Sequence, residues 1–165
     1  MSERVFNFSA GPAGLPLAAL KRAQEEFLAL PGAGANAMEI SHRSPAFDAI
    51  LAKAKGNIKT LLGLPDGYHV LFLQGGASLQ FSMIAMNFLR GSGKTADFIL
   101  TGSWGEKAIK EAKREGATRV VWTGKDANYV RVPKQAELDL DANAAFCHFT
   151  SNETIQGVEF FTEPE

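Results

Sequence analysis

The stretch that most constrains this sequence runs from Val70 to Leu89. Val70-Leu71-Phe72-Leu73 is a short apolar run bounded by turn residues, the pattern of a strand buried on both faces. Leu79 to Leu89 is long enough for a helix and too apolar to face water, and Gln74-Gly75-Gly76-Ala77-Ser78 joins the two. The order predicted is strand, glycine turn, buried helix. Such a turn leaves the first N–H groups of the helix without intrahelical partners, and its two glycines let an anion approach the backbone. Ser78 adds a hydroxyl, so the turn is a candidate phosphate seat. A glycine-rich connection that binds nothing fits the same residues.

Along the rest of the chain, Asn7 to Gly14 is broken by proline and glycine and predicts an extended N-terminal arm over residues 1–15. Pro16 opens a helix carrying Leu17, Leu20, Phe27 and Leu28, which ends at Pro31-Gly32. Ser44-Pro45 caps a second helix with Phe47, Ile50, Leu51, Ala54, Ile58, Leu61 and Leu62 at helical spacing, closed by Gly63. Lys53, Lys55 and Lys59 fall off that stripe and predict a solvated face. Asp97 to Thr101 reads as a buried strand, and Ser103 with Glu106 as a capping box for a helix through Glu115, with Glu106 and Lys110 as an i,i+4 pair. Arg119 to Trp122 is a third strand, Tyr129 to Val132 a fourth, Gln135 to Asn143 a loop or short helix, and Ala145 to Thr150 a further strand.

Alternating strands and helices without internal repeats predict an α/β fold with a mostly parallel sheet. Ligands of such sheets lie beyond the carboxyl ends of the strands. That rule gathers the glycine turn after Leu73, Thr101-Gly102-Ser103-Trp104, and Ser151-Asn152-Glu153-Thr154 on one side. They offer an anion seat, a flat indole and a hydroxyl, which a phosphorylated, planar, heteroaromatic ligand would use together.

The length of 165 residues suits one domain with a real core, and 45% hydrophobic with 21% charged residues is the balance of a globular chain. A net charge of -1 without basic clusters provides no footprint for nucleic acid or an anionic membrane, which leaves small molecules and other protein chains as partners. The start of the chain lacks the apolar core of a secretory signal, no window is long enough to span a bilayer, and the single Cys147 cannot pair within the chain, so the expected location is cytoplasmic. The three histidines, His42, His69 and His148, show no paired-ligand spacing, and no metal site is expected.

Five ordered segments carry a resemblance: Phe8 to Ala13, Met38 to Ser44, Gln74 to Phe81, Gly102 to Trp104 and Ser151 to Gly157. Over its whole length the chain resembles the phosphoserine aminotransferases, class V members of the fold-type I pyridoxal-phosphate enzymes. The resemblance implies helices on both faces of the sheet and residues 16–165 as part of the cofactor-binding large domain. It implies transfer of an amino group between glutamate and 3-phosphohydroxypyruvate, giving O-phosphoserine and 2-oxoglutarate in serine biosynthesis, by a homodimer with sites near its interface. Carried across motif by motif, Gly76, Ala77 and Ser78 would hold the phosphate of pyridoxal 5'-phosphate, Trp104 would stack on its pyridine ring, and Thr154 would bond its phenolic oxygen. His42 and Arg43 would bind the anionic groups of the substrate across the dimer interface; a planar guanidinium grips a carboxylate or phosphate with two parallel bonds.

In the family the Schiff-base lysine and the aspartate that keeps the pyridine protonated follow the Ser151–Gly157 motif, and no lysine of this chain stands in that setting. The resemblance therefore extends to the amino-terminal half, with the carboxy-terminal half and small domain absent and no catalytic residue assigned; alone, the chain is not expected to transaminate. Three other readings remain. Gly91-Ser92-Gly93-Lys94-Thr95 suggests a P-loop nucleotide binder using Lys94, although Phe88 stands where that motif needs glycine and a helix precedes it instead of a strand. Another class V enzyme would share the cofactor motifs, but not the His42-Arg43 segment tied to a phosphorylated substrate. A non-catalytic binding or assembly partner would need no lysine.

Overall fold

The computed structural model describes residues 4–165, which fall into two compact units, Met1–Phe72 and Leu73–Glu165. In the first, the expected arm forms neither helix nor strand over residues 4–15, and its residues 1–3 lie outside the described residues. The arm folds back on itself: Gly14 N–H donates to the Asn7 carbonyl at 3.1 Å, and the Asn7 side-chain amide to the Pro12 carbonyl at 2.7 Å. Helix α1 covers Leu17–Glu25, shorter than its apolar pattern, and α2 covers Pro45–Leu62. Ser44 caps α2 by accepting the Phe47 N–H, with proline in the first turn, as the sequence reading has it. Phe47, Leu51, Ala54 and Ile58 are its half-buried stripe, while Leu61 and Leu62 are exposed.

The second unit contains α3 (Gly76–Phe88), β1 (Thr95–Leu100), α4 (Ser103–Ala112), β2 (Ala117–Thr123), β3 (Cys147–Phe149), β4 (Asn152–Glu153) and β5 (Val158–Glu159). The first three strands form a parallel sheet in the order β2-β1-β3; β4 and β5 pair antiparallel. Strand side chains alternate faces. Ala96, Phe98 and Leu100 of β1 share a buried cluster with Ala85 and Leu89 of the α3 end and with Ala108, Ile109 and Ala112 of α4. Both helices therefore cover one face, and Asp97 and Ile99 point to the other.

Two expected strands do not form. Val70 to Leu73 makes no strand pairing among the described residues, and Leu71, Phe72 and Leu73 are more than half exposed. Its composition records a preference for burial, whereas a strand also needs a neighbour to accept its hydrogen bonds. Tyr129 to Val132 fails for a local reason. Asn128 and Tyr129 both sit at positive φ (55° and 56°), and the Tyr129 N–H returns to the Gly124 carbonyl at 2.9 Å, so the chain turns where it should extend. Gln135 to Asn143 is mostly loop, with one 3-10 turn at Gln135–Glu137.

His148 on β3 stands opposite Phe98 in the parallel register, on the face that α3 covers. Its ring lies 5.2 Å from that of Phe98 and 5.8 Å from Phe81 of α3, and Nε2 has no hydrogen-bond partner among the described residues. Burial pushes the imidazole down from 6.5 to about 4. Between those values the unfolded chain binds the proton and the folded chain does not, so stability falls as the pH drops through that window. At pH ~4.5 the loss relative to neutral pH should be about 2–3 kcal/mol. Urea titrations at both pH values check it, and His148→Leu should remove that part of the pH dependence.

Candidate functional site

At its amino end α3 begins with Gly75 as the residue before the first turn, in left-handed backbone at φ 91°. A side chain there would strike Leu79, whose Cβ and Cδ2 lie 2.5 Å from the position of an added Cβ, so glycine is required on both counts. The first helical hydrogen bond runs from Leu79 N–H to the Gly75 carbonyl. The N–H groups of Gly76, Ala77 and Ser78 thus precede the intrahelical ladder, and no side chain among the described residues caps this end. The helix dipole adds positive potential at the same place.

On α4 the capping differs from the expected box. Gly102 is the N-cap and has no side chain to offer. The cap comes from 48 and 49 residues downstream: the buried Glu153 carboxylate accepts the Trp104 N–H at Oε2 and the Gly105 N–H at Oε1, each at 2.8 Å. Gln156 accepts the Ser103 N–H at 3.1 Å and donates to its hydroxyl at 2.7 Å. Any side chain at Gly102 would meet Gln156 Oε1 at 2.5 Å and Glu153 Cδ at 2.6 Å, so the glycine admits these caps. Glu106, freed from that role, accepts the Tyr129 hydroxyl at 2.7 Å and lies 3.8 Å from Lys125 Nζ; an ion pair with Lys110 is not found among the described residues. Burial, first, and the Glu106 carboxylate, second, push the Tyr129 phenol up to about 12.

This capping brings two of the expected site residues together. The Trp104 indole N–H donates to the Thr154 hydroxyl oxygen at 2.9 Å, across 50 residues of sequence. Trp104 is half-buried and Thr154 exposed, so the pair lies open to a ligand. Because Thr154 Oγ1 is an acceptor in this bond, its own proton remains available to donate elsewhere. Lys107 Nζ lies 4.0 Å from the centroid of the indole ring.

The glycine turn opens on the same edge. Ser82 of α3 meets Glu111 of α4 at 3.3 Å, and Arg90 beyond the end of α3 meets Glu115 beyond the end of α4 at 2.5 Å. Two contacts in the same sequence direction make the helices parallel neighbours. Since α4 starts where β1 ends, both amino ends face the carboxyl edge of the sheet, the place where parallel α/β sheets hold ligands.

His42 and Arg43 belong to the first unit, both exposed on the turn that leads into α2, where Ser41 Oγ accepts the Arg43 N–H at 3.2 Å. Lys94 follows a turn in which Ser92 Oγ donates to the Leu89 carbonyl and accepts the Lys94 N–H. That turn leads from helix to strand, the reverse of a P-loop. The sequence reading missed the roles of Glu153, Gln156, Lys107 and Tyr129. Glu153 and Gln156 stood inside a recognised motif, which was the available signal for the first two.

Residues 5–164 match the family model of the class-V aminotransferases, and the chain belongs to that family. Among curated relatives, it is 54% identical to a phosphoserine aminotransferase of Rhodopirellula baltica over 98% of this chain and 43% of that one. The corresponding enzyme of Niallia circulans is 50% identical over 100% of this chain and 45% of that one. The fold matches the solved phosphoserine aminotransferase of Bacillus circulans subsp. alkalophilus with a TM-score of 0.90 and 51% identity, over 99% of this chain and 45% of that one. A phosphoserine aminotransferase from Trichomonas vaginalis, solved with PLP bound, matches with a TM-score of 0.88 and 39% identity, over 98% and 46%. The chain therefore spans a little under half the length of these relatives. No helix among the described residues is long and apolar enough to cross a membrane.

Proposed function

We propose that this chain forms the cofactor-phosphate and ring-binding part of a phosphoserine aminotransferase. The whole protein would transfer an amino group between glutamate and 3-phosphohydroxypyruvate. The observation that carries the reading is the 2.9 Å bond from the Trp104 indole to Thr154, beside an uncapped helix start on the same sheet edge. The donor set suits pyridoxal 5'-phosphate. Backbone N–H groups of Gly76, Ala77 and Ser78 with the Ser78 hydroxyl suit a dianionic phosphate, and open space stands where a side chain at Gly76 would be. The free proton of Thr154 suits a phenolic oxygen. The indole offers a face to a planar ring without fixing any proton.

When bound, the cofactor supplies the electron sink that aminotransfer needs. This chain's residues hold and orient. The helix end would hold the phosphate, Trp104 would offer its indole face to the ring, and Thr154 would donate a hydrogen bond to the ring's oxygen. His42 and Arg43 are assigned to the anionic groups of the substrate, reached across a homodimer interface. Residues 16–165 are read as part of the large domain and residues 1–15 as its arm, with no Schiff-base lysine among them. The lone cysteine favours a reducing, cytoplasmic setting.

In the full-length protein, Trp104→Ala should weaken cofactor retention by about tenfold or more, the loss of one aromatic stacking partner with its hydrogen bond. Arg43→Ala should raise KM for the phosphorylated keto acid by about tenfold to a hundredfold with little change in kcat, as loss of a charge-assisted contact made equally in ground and transition states does. Dialysis followed by absorbance reads the first and steady-state kinetics the second. Unchanged kinetics in Arg43→Ala rejects the substrate role.

A further inference from the structure

Trp104 is tied on three sides. Its backbone N–H is held by Glu153, its indole N–H by Thr154, and Lys107, three residues on along α4, sets its ammonium 4.0 Å from the ring centroid. Residues three apart on a helix are surface neighbours, so the contact is local and needs no other element to form it. A cation at this distance is attracted by the quadrupole of the ring face. It occupies one face of the indole and leaves the opposite face for a planar ligand.

We propose that Lys107 is a positioning residue of the site: its ammonium covers one face of Trp104, holds the indole plane against the hydrogen bond to Thr154, and so presents the other face ready to stack. The inference rests on the cofactor reading above, because it concerns the ring that the indole receives. Its effect is preorganisation. An indole free to rotate about its two side-chain torsions must be ordered when ligand binds, whereas one already held on an edge and a face has less freedom to lose. Lys107 is exposed, and its charge is not consumed by a carboxylate in any ion pair among the described residues. The ammonium also places positive charge behind the ring on which an anionic cofactor stacks, which favours binding of the anion.

The test uses this chain with Trp122→Phe, which leaves Trp104 as the one fluorescent indole among its two tryptophans. Iodide and caesium quenching read the charge at the ring directly. The lysine should raise iodide quenching relative to caesium, Lys107→Met should bring the two together, and Lys107→Arg should restore the difference. The ligand arm titrates 4'-deoxypyridoxine 5'-phosphate, which has no aldehyde to condense with surface lysines, and follows Trp104 emission after inner-filter correction. Lys107→Met should bind it about 3- to 10-fold more weakly, with Lys107→Arg close to the parent; the scale is that of one cation–π contact. An unchanged quencher ratio in Lys107→Met overturns the contact. A changed ratio with unchanged affinity overturns the positioning role while leaving the cofactor reading intact. A parent whose Trp104 emission does not respond to the phosphate ligand overturns the cofactor reading itself, and the quencher arm then still judges the contact.

Discussion

Replacing Asp97 by alanine should destabilise the second unit by about 2–4 kcal/mol, the loss of the charge-assisted hydrogen bonds that a buried carboxylate makes to a half-exposed guanidinium and to a backbone N–H. Asp97 is almost fully buried on the sheet face opposite α3 and α4. Its two carboxylate oxygens accept hydrogen bonds from Arg119 Nε at 2.9 Å and Nη2 at 2.8 Å, a bidentate grip between residues directly opposite each other on β1 and β2. The Asp141 N–H donates to the same carboxylate at 2.8 Å, and Arg119 reaches on to Asp139. One carboxylate thus fastens two strands and the loop that leads to β3. The Arg119 guanidinium, first, and the Asp141 N–H hold its pKa below the usual carboxylate range against the opposing effect of burial. A carboxylate whose folded pKa is depressed contributes stability above its unfolded value, 3.8, and loses it as the pH falls below that toward the folded value. Urea midpoints at pH 7 and pH 3 should therefore converge between parent and Asp97→Asn as the pH drops. A difference that stays constant with pH would reject the ionic role.

Glu153→Ala should cost a similar amount, about 3–5 kcal/mol, by a different route. It leaves the N–H groups of half-buried Trp104 and buried Gly105 without acceptors, each costing about 1–3 kcal/mol, and opens a hole where a wholly buried side chain stood. The negative charge also opposes the positive end of the helix dipole, an interaction that the alanine loses. Because one of the two orphaned groups is the backbone N–H of Trp104, the loss should reach the site as well. Glu153→Gln keeps one acceptor oxygen and should recover roughly half of the stability. Chemical denaturation measures the ledger of each variant, and the emission of Trp104 in a Trp122→Phe background reports whether the indole keeps its place.

The helices were the legible part of this fold. Ser44-Pro45, the apolar stripe of α2 and the Gly75-Gly76 turn each encode their structure within a few residues, so reading the chain locally located them. The strand readings succeeded where a neighbour exists, at β1, β2 and β3, and failed at Val70 to Leu73 and Tyr129 to Val132. The letters of an apolar run record how it wishes to be surrounded, and say nothing of what lies beside it. At Tyr129 the consecutive left-handed residues overrode β propensity altogether.

The candidate site divides the same way. By itself the sequence determined a glycine-bearing helix start, an indole at the start of the next helix and a threonine in a third loop, because each is a short motif with its own local geometry. Only the tertiary structure decided that the indole and the threonine share a hydrogen bond, and that α4 is capped by Glu153 and Gln156 in place of Ser103 and Glu106. The reason is sequence distance. A cap drawn from the adjacent turn competes with one drawn from about 50 residues away, and the distant carboxylate wins because folding delivers it buried, charged and aimed at two N–H groups at once.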